Sequence, residues 1–354
     1  QSPIQRVVLM FAAQTGKTEA QNCWLGYVID HAPAPMLLVQ PTLEMGKRLS
    51  KQRLESMIND TPCLSEKIAP ARTRDSGNTL SNKEFPGGMM LITGANSATG
   101  LRSTPCKYIS CDEVDAFPSD ASGEGDPVAL AEKRATTFST RKKVLLTSTP
   151  TEKDHCRIEQ EFKMSDQRYF QIKSPCCGGY QDLKFGQLRW KPKQPETVEY
   201  ECALCGERFT EAYKTSMLRQ GKWQATKPLI RKTAGFHLSG LYSPSGWLSW
   251  STIVEEWETA QEAPALLRSF INTRLSETFD ESYQSTITVD SLIDKLDNYL
   301  PSEIPEDVLC LVAGVDVQGG GGTKDERLEC SCLLYTSDAA DDSLRVDLGG
   351  RRII

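Results

Sequence analysis

The sequence has no apolar run near the roughly 20 residues that a helix needs to cross a bilayer, and no charged-then-apolar leader at its start. Both absences point to a cytosolic protein with no membrane role. An excess of basic charge is lacking too. The net charge of −6 argues against wholesale coating of nucleic acid, although Arg134 and the Arg141-Lys-Lys143 run can still form a local basic surface. The twelve cysteines show no framework of paired spacings. Outside one cluster they are scattered, which favours metal binding over disulfides. An initiating Met is missing, and the first strand starts only a few residues before the first motif. The N-terminus therefore reads as truncated, without the residues that would grip a nucleotide base. With 354 residues, 39% of them apolar, the chain can bury a sizeable core and hold two or three domains.

What is present begins at Phe11-Ala-Ala-Gln-Thr-Gly-Lys-Thr18. An apolar strand, Val7 to Met10, runs into a turn and then a helical pattern. Gln14, Thr15, Gly16, Lys17 and Thr18 are placed to wrap a nucleotide's phosphates with backbone N–H groups and a helix N-terminus. Lys17 would neutralise the β- and γ-phosphates of ATP, and the Thr18 hydroxyl would hold Mg²⁺. The usual loop opens with a glycine four residues before the Gly-Lys pair, and Phe11 stands there instead. A second strand, Tyr108-Ile-Ser-Cys-Asp-Glu113, ends in two carboxylates. Asp112 would hold the metal through water, and Glu113 would activate the attacking water. Gly-Lys-Thr alone is a common accident, and Asp-Glu alone is often a solvated strand end. In this order the two specify an ATPase.

Two further strands fit the same sheet. Lys143-Val-Leu-Leu-Thr-Ser-Thr-Pro150 ends in hydroxyls where RecA-like motors sense the γ-phosphate, which makes Thr147, Ser148 and Thr149 coupling candidates. Met36-Leu-Leu-Val-Gln-Pro-Thr42 also turns polar at its end. Continuous apolar runs of this kind are the mark of buried parallel strands, whose C-terminal loops carry the ligands.

The middle of the chain holds the cysteine cluster. Cys202-Ala-Leu-Cys205-Gly206 has the spacing of a zinc knuckle. Its partner is Ser174-Pro-Cys-Cys-Gly-Gly179, where Ser174 occupies the place of the first thiol. Cys177 fits the second slot and Cys176 supplies a neighbouring sulfur, giving Cys176, Cys177, Cys202 and Cys205 as ligands of a structural Zn²⁺; His155 and Cys156 are further donors. From Trp250 to Phe270 the spacing predicts a helix with Ile253, Trp257 and Leu266 among its apolar positions. The aromatics around it, and His237, read as packing residues.

Taken in order, these segments make the chain resemble the lambda-type phage terminase large subunits, the GpA family of DNA-packaging motors. The likeness is carried by Ala12-Ala-Gln-Thr-Gly-Lys-Thr18, Leu38-Val-Gln-Pro-Thr42, Cys111-Asp-Glu-Val-Asp115, Leu146-Thr-Ser-Thr-Pro150, the cysteine ribbon, Leu241-Tyr-Ser-Pro244, Phe270-Ile-Asn-Thr273 and Ala313-Gly-Val-Asp-Val-Gln318. The resemblance implies an α/β fold: a P-loop RecA-like (ASCE) ATPase with a parallel sheet, an inserted zinc-ribbon-like segment, and the truncated start of an RNase H-like nuclease domain. It implies an ATP-driven translocase that pumps double-stranded viral DNA into a procapsid. Its implied partners are a terminase small subunit and the portal, on which it would sit as a homo-oligomer in the host cytoplasm. Arg102, in Gly100-Leu-Arg-Ser103, is by this resemblance a stabiliser of transition-state charge. Asp316, on the strand Leu311-Val-Ala-Gly-Val-Asp-Val317, becomes a ligand of the nuclease's divalent metals, Mg²⁺ or Mn²⁺.

The expected layout is an ATPase core over 1–165, a ribbon-like insertion over 166–225, a helical and aromatic-rich remainder over 226–304, and the start of the nuclease over 305–331. Residues 332–354, beginning Cys332-Leu-Leu-Tyr-Thr-Ser-Asp, read as the translation of a transposase-type sequencing adapter, which would leave nuclease activity to the full-length parent. Two other classes share parts of the pattern. A DEAD-like helicase needs a second RecA-like domain, whose pattern is missing after residue 165. A non-enzymatic zinc-ribbon adaptor has only the Phe11 departure in its favour.

Overall fold

The computed structural model describes residues 2–68, 77–280, 310–318 and 327–335. The chain forms two compact units, Gln1–Asp280 and Glu281–Ile354.

In the first unit the strands of a ten-stranded sheet begin with β1 (Arg6–Phe11), β2 (Met36–Gln40), β3 (Asn82–Phe85), β4 (Gly88–Gly94), β5 (Tyr108–Asp112), β6 (Lys143–Ser148), β7 (Arg168–Lys173) and β8 (Tyr180–Asp182). A separate three-stranded antiparallel sheet follows: β9 (Leu188–Lys191), β10 (Gln194–Glu201) and β11 (Arg208–Phe209). The chain then returns to the large sheet with β12 (Lys222–Ala225) and β13 (Thr233–Leu238). The spatial order is β12-β7-β13-β1-β6-β5-β2-β4-β3, with β8 on β7. From β7 through β13, β1, β6, β5 and β2 to β4 every pairing is parallel. The central sheet thus draws on segments either side of the small one, and β13 lies beside β1 although it follows the ribbon in sequence.

The central strands are apolar on both faces because both faces are covered. All five residues of β2 and of β5 are buried, as are Val8 to Phe11 of β1. The helix Lys17–His31 starts where Gly16 adopts a left-handed backbone, with φ of 95°. That conformation suits glycine. Among the described residues no helix is long and apolar enough to cross a membrane.

The helix expected from Trp250 to Phe270 is corrected. It is two helices, Trp250–Ala260 and Pro264–Phe270, followed by a π-helical turn over Ile271–Leu275. Pro264 drives the break, since a residue before proline is pushed out of the helical region, and Ala263 is extended at φ −150° and ψ 139°. The register changes there, and Leu266, expected in the core, is 46% exposed. Trp250, Ile253 and Phe270 are buried as expected. They share a core with Tyr200, Phe209 and Tyr242 that joins the ribbon to the large sheet.

In the second unit β14 (Cys310–Gln318) pairs antiparallel with β15 (Arg327–Tyr335), placing Asp316 opposite Glu329 in the register. The last four residues of β15, Cys332–Tyr335, fall in the segment expected to be adapter-derived; 336–354 lie outside the described residues.

Phe11, the departure from the usual loop, is 8% exposed and stacks on Trp223 at 6.3 Å with planes 6° apart. It shares a cluster with Leu9, Leu145 and Phe236. Restoring the usual residue with Phe11→Gly should therefore destabilise the protein by about 4 kcal/mol, the range for deleting a buried Phe, and lower the urea midpoint.

Candidate functional site

Parallel neighbours end on the same edge of a sheet, so Phe11, Gln40, Asp112 and Ser148, the last residues of β1, β2, β5 and β6, gather along one rim. The loop after β1 is held from below by backbone bonds. The Ala12 N–H donates to Leu238 O and the Ala13 N–H to Thr273 O, both at 2.9 Å. The Thr15 hydroxyl donates back to Ala12 O at 2.7 Å, which closes the turn. Gln14 at φ 59° and Gly16 at φ 95° reverse the chain twice within three residues. No side chain caps the helix that follows. Consecutive N–H groups at an uncapped helix start form a nest for an anion.

Opposite the loop stand the carboxylates. Lys17, 7% exposed, forms an ion pair with Glu113 (Nζ to Oε1, 2.8 Å) and donates to the Thr149 hydroxyl. The other Glu113 oxygen accepts the Thr149 N–H at 3.4 Å. Glu113 itself has φ of 54°, a strained setting for a residue with a side chain. Asp112 is fixed at both oxygens: the Thr147 hydroxyl donates to Oδ1, and Gln40 Nε2 donates to Oδ2 at 3.1 Å. Burial pushes the Asp112 carboxyl above the ordinary 3.8, Glu113 adds to the rise, and those two hydrogen bonds and Lys17 oppose it.

Of the residues singled out in the sequence, Lys17, Asp112, Glu113, Thr147 and Thr149 form one hydrogen-bonded group. Gln14, Thr15 and Gly16 shape the loop, and Thr18 lies half-buried in the first helical turn. Ser148 faces a different partner, accepting the Asp115 N–H at 3.3 Å. Arg102 is paired with Glu124, and its carbonyl accepts from Arg134 at 2.9 Å. Asp316 lies on β14 in the other unit. Sequence reasoning gave Gln40 and Asp115 no role. The one available signal was a Gln ending an otherwise apolar strand.

The four cysteine sulfurs of Cys176, Cys177, Cys202 and Cys205 lie within 4.8 Å of one another. His155 and Cys156 are not part of this group. The closest approaches are 3.3 Å for Cys176 to Cys205 and 3.8 Å for Cys177 to Cys202. A tetrahedral ion with bonds of about 2.3 Å sets its sulfurs about 3.8 Å apart, so the cluster suits such an ion. Two alike turns present the sulfurs. The Gly178 N–H donates to Ser174 O and the Gly206 N–H to Cys202 O, each at 2.9 Å, and both glycines have φ above 70°. The Ser174 hydroxyl sits 3.1 Å from the Cys176 sulfur and 3.2 Å from that of Cys202. Burial would raise the Cys202 thiol, but Ser174 and the N–H groups of Leu204 and Cys205 outweigh it and bring it down to about 6. Cys205 goes the other way, to about 12. The Glu207 N–H favours its thiolate, but contacts with Cys176, Cys202 and Cys177 favour the thiol. Crowded thiolates of this kind are relieved by a cation.

With the geometry in hand, comparison places the chain among known proteins. Residues 1–223 match the family described as phage terminase large subunit gpA, ATPase domain, and residues 233–340 match terminase large subunit gpA, endonuclease domain. The terminase large subunit of Enterobacteria phage P21 is 30% identical over 339 residues, covering 89% of this chain and 52% of that protein. That of Escherichia phage lambda is 27% identical over 379 residues, covering 97% and 58%. The chain thus spans about half the length of the curated relatives it matches. Among solved structures, the Thermus phage P74-26 large terminase ATPase domain is 15% identical with a TM-score of 0.43, covering 79% of this chain and 90% of that one. The large terminase of another thermophilic bacteriophage, solved in complex with ADP, is 11% identical with a TM-score of 0.41, covering 95% and 64%.

The buried Asp112 has a measurable signature. A carboxyl raised in the folded state costs no stability below pH 3.8, and its cost grows as pH rises through the folded value. Asp112→Asn keeps the Thr147 bond, and the Gln40 amide can flip to accept. At pH 7 without Mg²⁺ this variant should melt above the wild type, with the gap closing as pH falls toward 4. Thermal melts across that range check it.

Proposed function

Because the chain belongs to the phage terminase large subunit gpA family, we propose that it hydrolyses ATP at the rim of its parallel sheet to drive double-stranded viral DNA into a procapsid. The observation that carries this reading is the convergence of Lys17, Glu113 and Thr149 beside a twice-bonded Asp112, facing an anion nest.

The nest and Lys17 bind the triphosphate, Lys17 exchanging Glu113 for the β- and γ-oxygens. Glu113, released from Lys17, orients a water for in-line attack on the γ-phosphorus. Thr18 and Asp112 would hold Mg²⁺, which when bound neutralises phosphate charge. Gln40 and Thr147 keep the Asp112 carboxylate aimed. Thr149 touches both Lys17 and Glu113 and so senses whether the γ-phosphate is present. Arg102 would stabilise transition-state charge after leaving Glu124. Lys and Arg side chains gripping backbone phosphates make such pumping independent of base sequence.

The four-cysteine cluster is proposed to hold a structural Zn²⁺. Asp316 is proposed as a metal-holding carboxylate of an endonuclease centre in the full-length protein. A terminase small subunit, the portal and further copies of the chain are the proposed partners, and the host cytoplasm the proposed setting.

Glu113→Gln tests the central assignment. Turnover should fall by about 100-fold or more, the size of a lost general base, while a fluorescent ATP analogue still binds; unchanged hydrolysis removes Glu113 from this role. Elemental analysis should find one zinc per chain, lost on Cys202→Ser together with several degrees of melting temperature. A metal-free wild type overturns the zinc assignment.

A further inference from the structure

Asp115, the last residue of the Cys111-Asp-Glu-Val-Asp115 segment, takes no part in binding phosphate or water, yet it is among the most heavily bonded side chains near the site. It lies in the single 3₁₀ turn Val114–Ala116 that follows Glu113. Its carboxylate accepts the Arg157 N–H at 2.6 Å on Oδ1 and the Ile158 N–H at 3.1 Å on Oδ2. It thereby caps the helix Arg157–Lys163, whose own N-cap residue, Cys156, makes no side-chain cap. The Thr151 hydroxyl donates to the same Oδ1 at 3.4 Å, and the Asp115 N–H donates to Ser148.

Two ties therefore join the turn carrying Glu113 to the loop after β6. One is the Thr149 N–H on Glu113 and the other is Thr151 on Asp115. That loop continues into a second set of bonds. The Phe279 N–H donates to Thr151 O at 3.0 Å, and the Lys153 N–H to Phe279 O at 2.9 Å. Thr151 thus bonds Asp115 through its side chain and Phe279 through its backbone, where the first unit ends.

Every group facing the Asp115 carboxylate is a donor, so an amide in its place would set N–H against N–H and lose a bond. We propose that Asp115 is a positioning residue: it locks the turn that aims Glu113 to the loop 149–153, so that hydrolysis and displacement of residues 276–280 depend on each other. This rests on the ATPase reading above.

The test uses this chain with Asp115→Asn, Thr151→Val and the double variant. Asp115→Asn should lower kcat by at least about tenfold, a cost typical of a misaimed group, with KM and the affinity for a fluorescent ATP analogue within about twofold. Hydrogen exchange of a peptide covering 276–280 should respond to a non-hydrolysable ATP analogue with Mg²⁺ in the wild type and not in the variant. Thr151→Val should act in the same direction, and the double variant should be no worse than Asp115→Asn alone. Wild-type kcat in Asp115→Asn, or parallel loss of kcat and nucleotide affinity with the folded fraction, overturns the proposal and leaves the ATPase reading standing. Absence of turnover in the wild type removes that reading, and this inference with it.

Discussion

The site depends on the parallel hydrogen-bond register of β1, β6 and β5. Leu9 pairs with Thr147 and Thr147 with Asp112, so the metal-holding carboxylate and its hydroxyl donor sit side by side at the end of the ladder. Side chains alternate faces along a strand, so a slip of one residue would turn Asp112 away from both Thr147 and Gln40. It would also carry Lys17 and Glu113 out of reach. Apolar cover on both faces of the sheet holds the register.

Much of this was legible in the sequence because it is local. Continuous apolar runs marked β1, β2, β5 and β6, and the residues ending them marked the rim. The unread parts are those that distant segments supply. Gln40 bonds Asp112 across the sheet, and Asp115 caps a helix more than forty positions away. Phe11 counted against the phosphate loop until its partner Trp223 was known. Its packing accounts for the substitution without a lapsed function and removes the support for a non-enzymatic adaptor. The break at Pro264 was visible as a residue, but helical spacing on both sides of it hid the change of register that leaves Leu266 exposed.

The ribbon shows a similar substitution of roles. Ser174 stands where a thiol was expected and lends its hydroxyl to two sulfurs instead, while Cys176 moves up beside Cys177. Tyr242 ties the ribbon to the sheet, its hydroxyl donating to Phe170 O and accepting the Leu183 N–H, both at 2.6 Å. Burial, the larger effect, holds that phenol protonated well above its usual range. The insertion is therefore continuous with the core through side chains that are polar at one end and buried at the other.

The place of β13 beside β1 has a consequence for how the protein is made. β1 is among the first segments to leave the ribosome, and its neighbour follows only after the ribbon and β12, roughly two hundred residues later. At translation rates of about 5–20 residues per second the interval is on the order of ten to forty seconds. Throughout it β1 lacks the backbone partners of Arg6 to Phe11, and the loop lacks the Leu238 carbonyl that anchors Ala12. A nascent chain halted before Leu238 would carry every residue of the nucleotide rim and still present an open, apolar strand edge to its surroundings. The order of synthesis thus leaves the oldest part of the polypeptide the last to be closed, and makes it the part with most need of a chaperone's shelter.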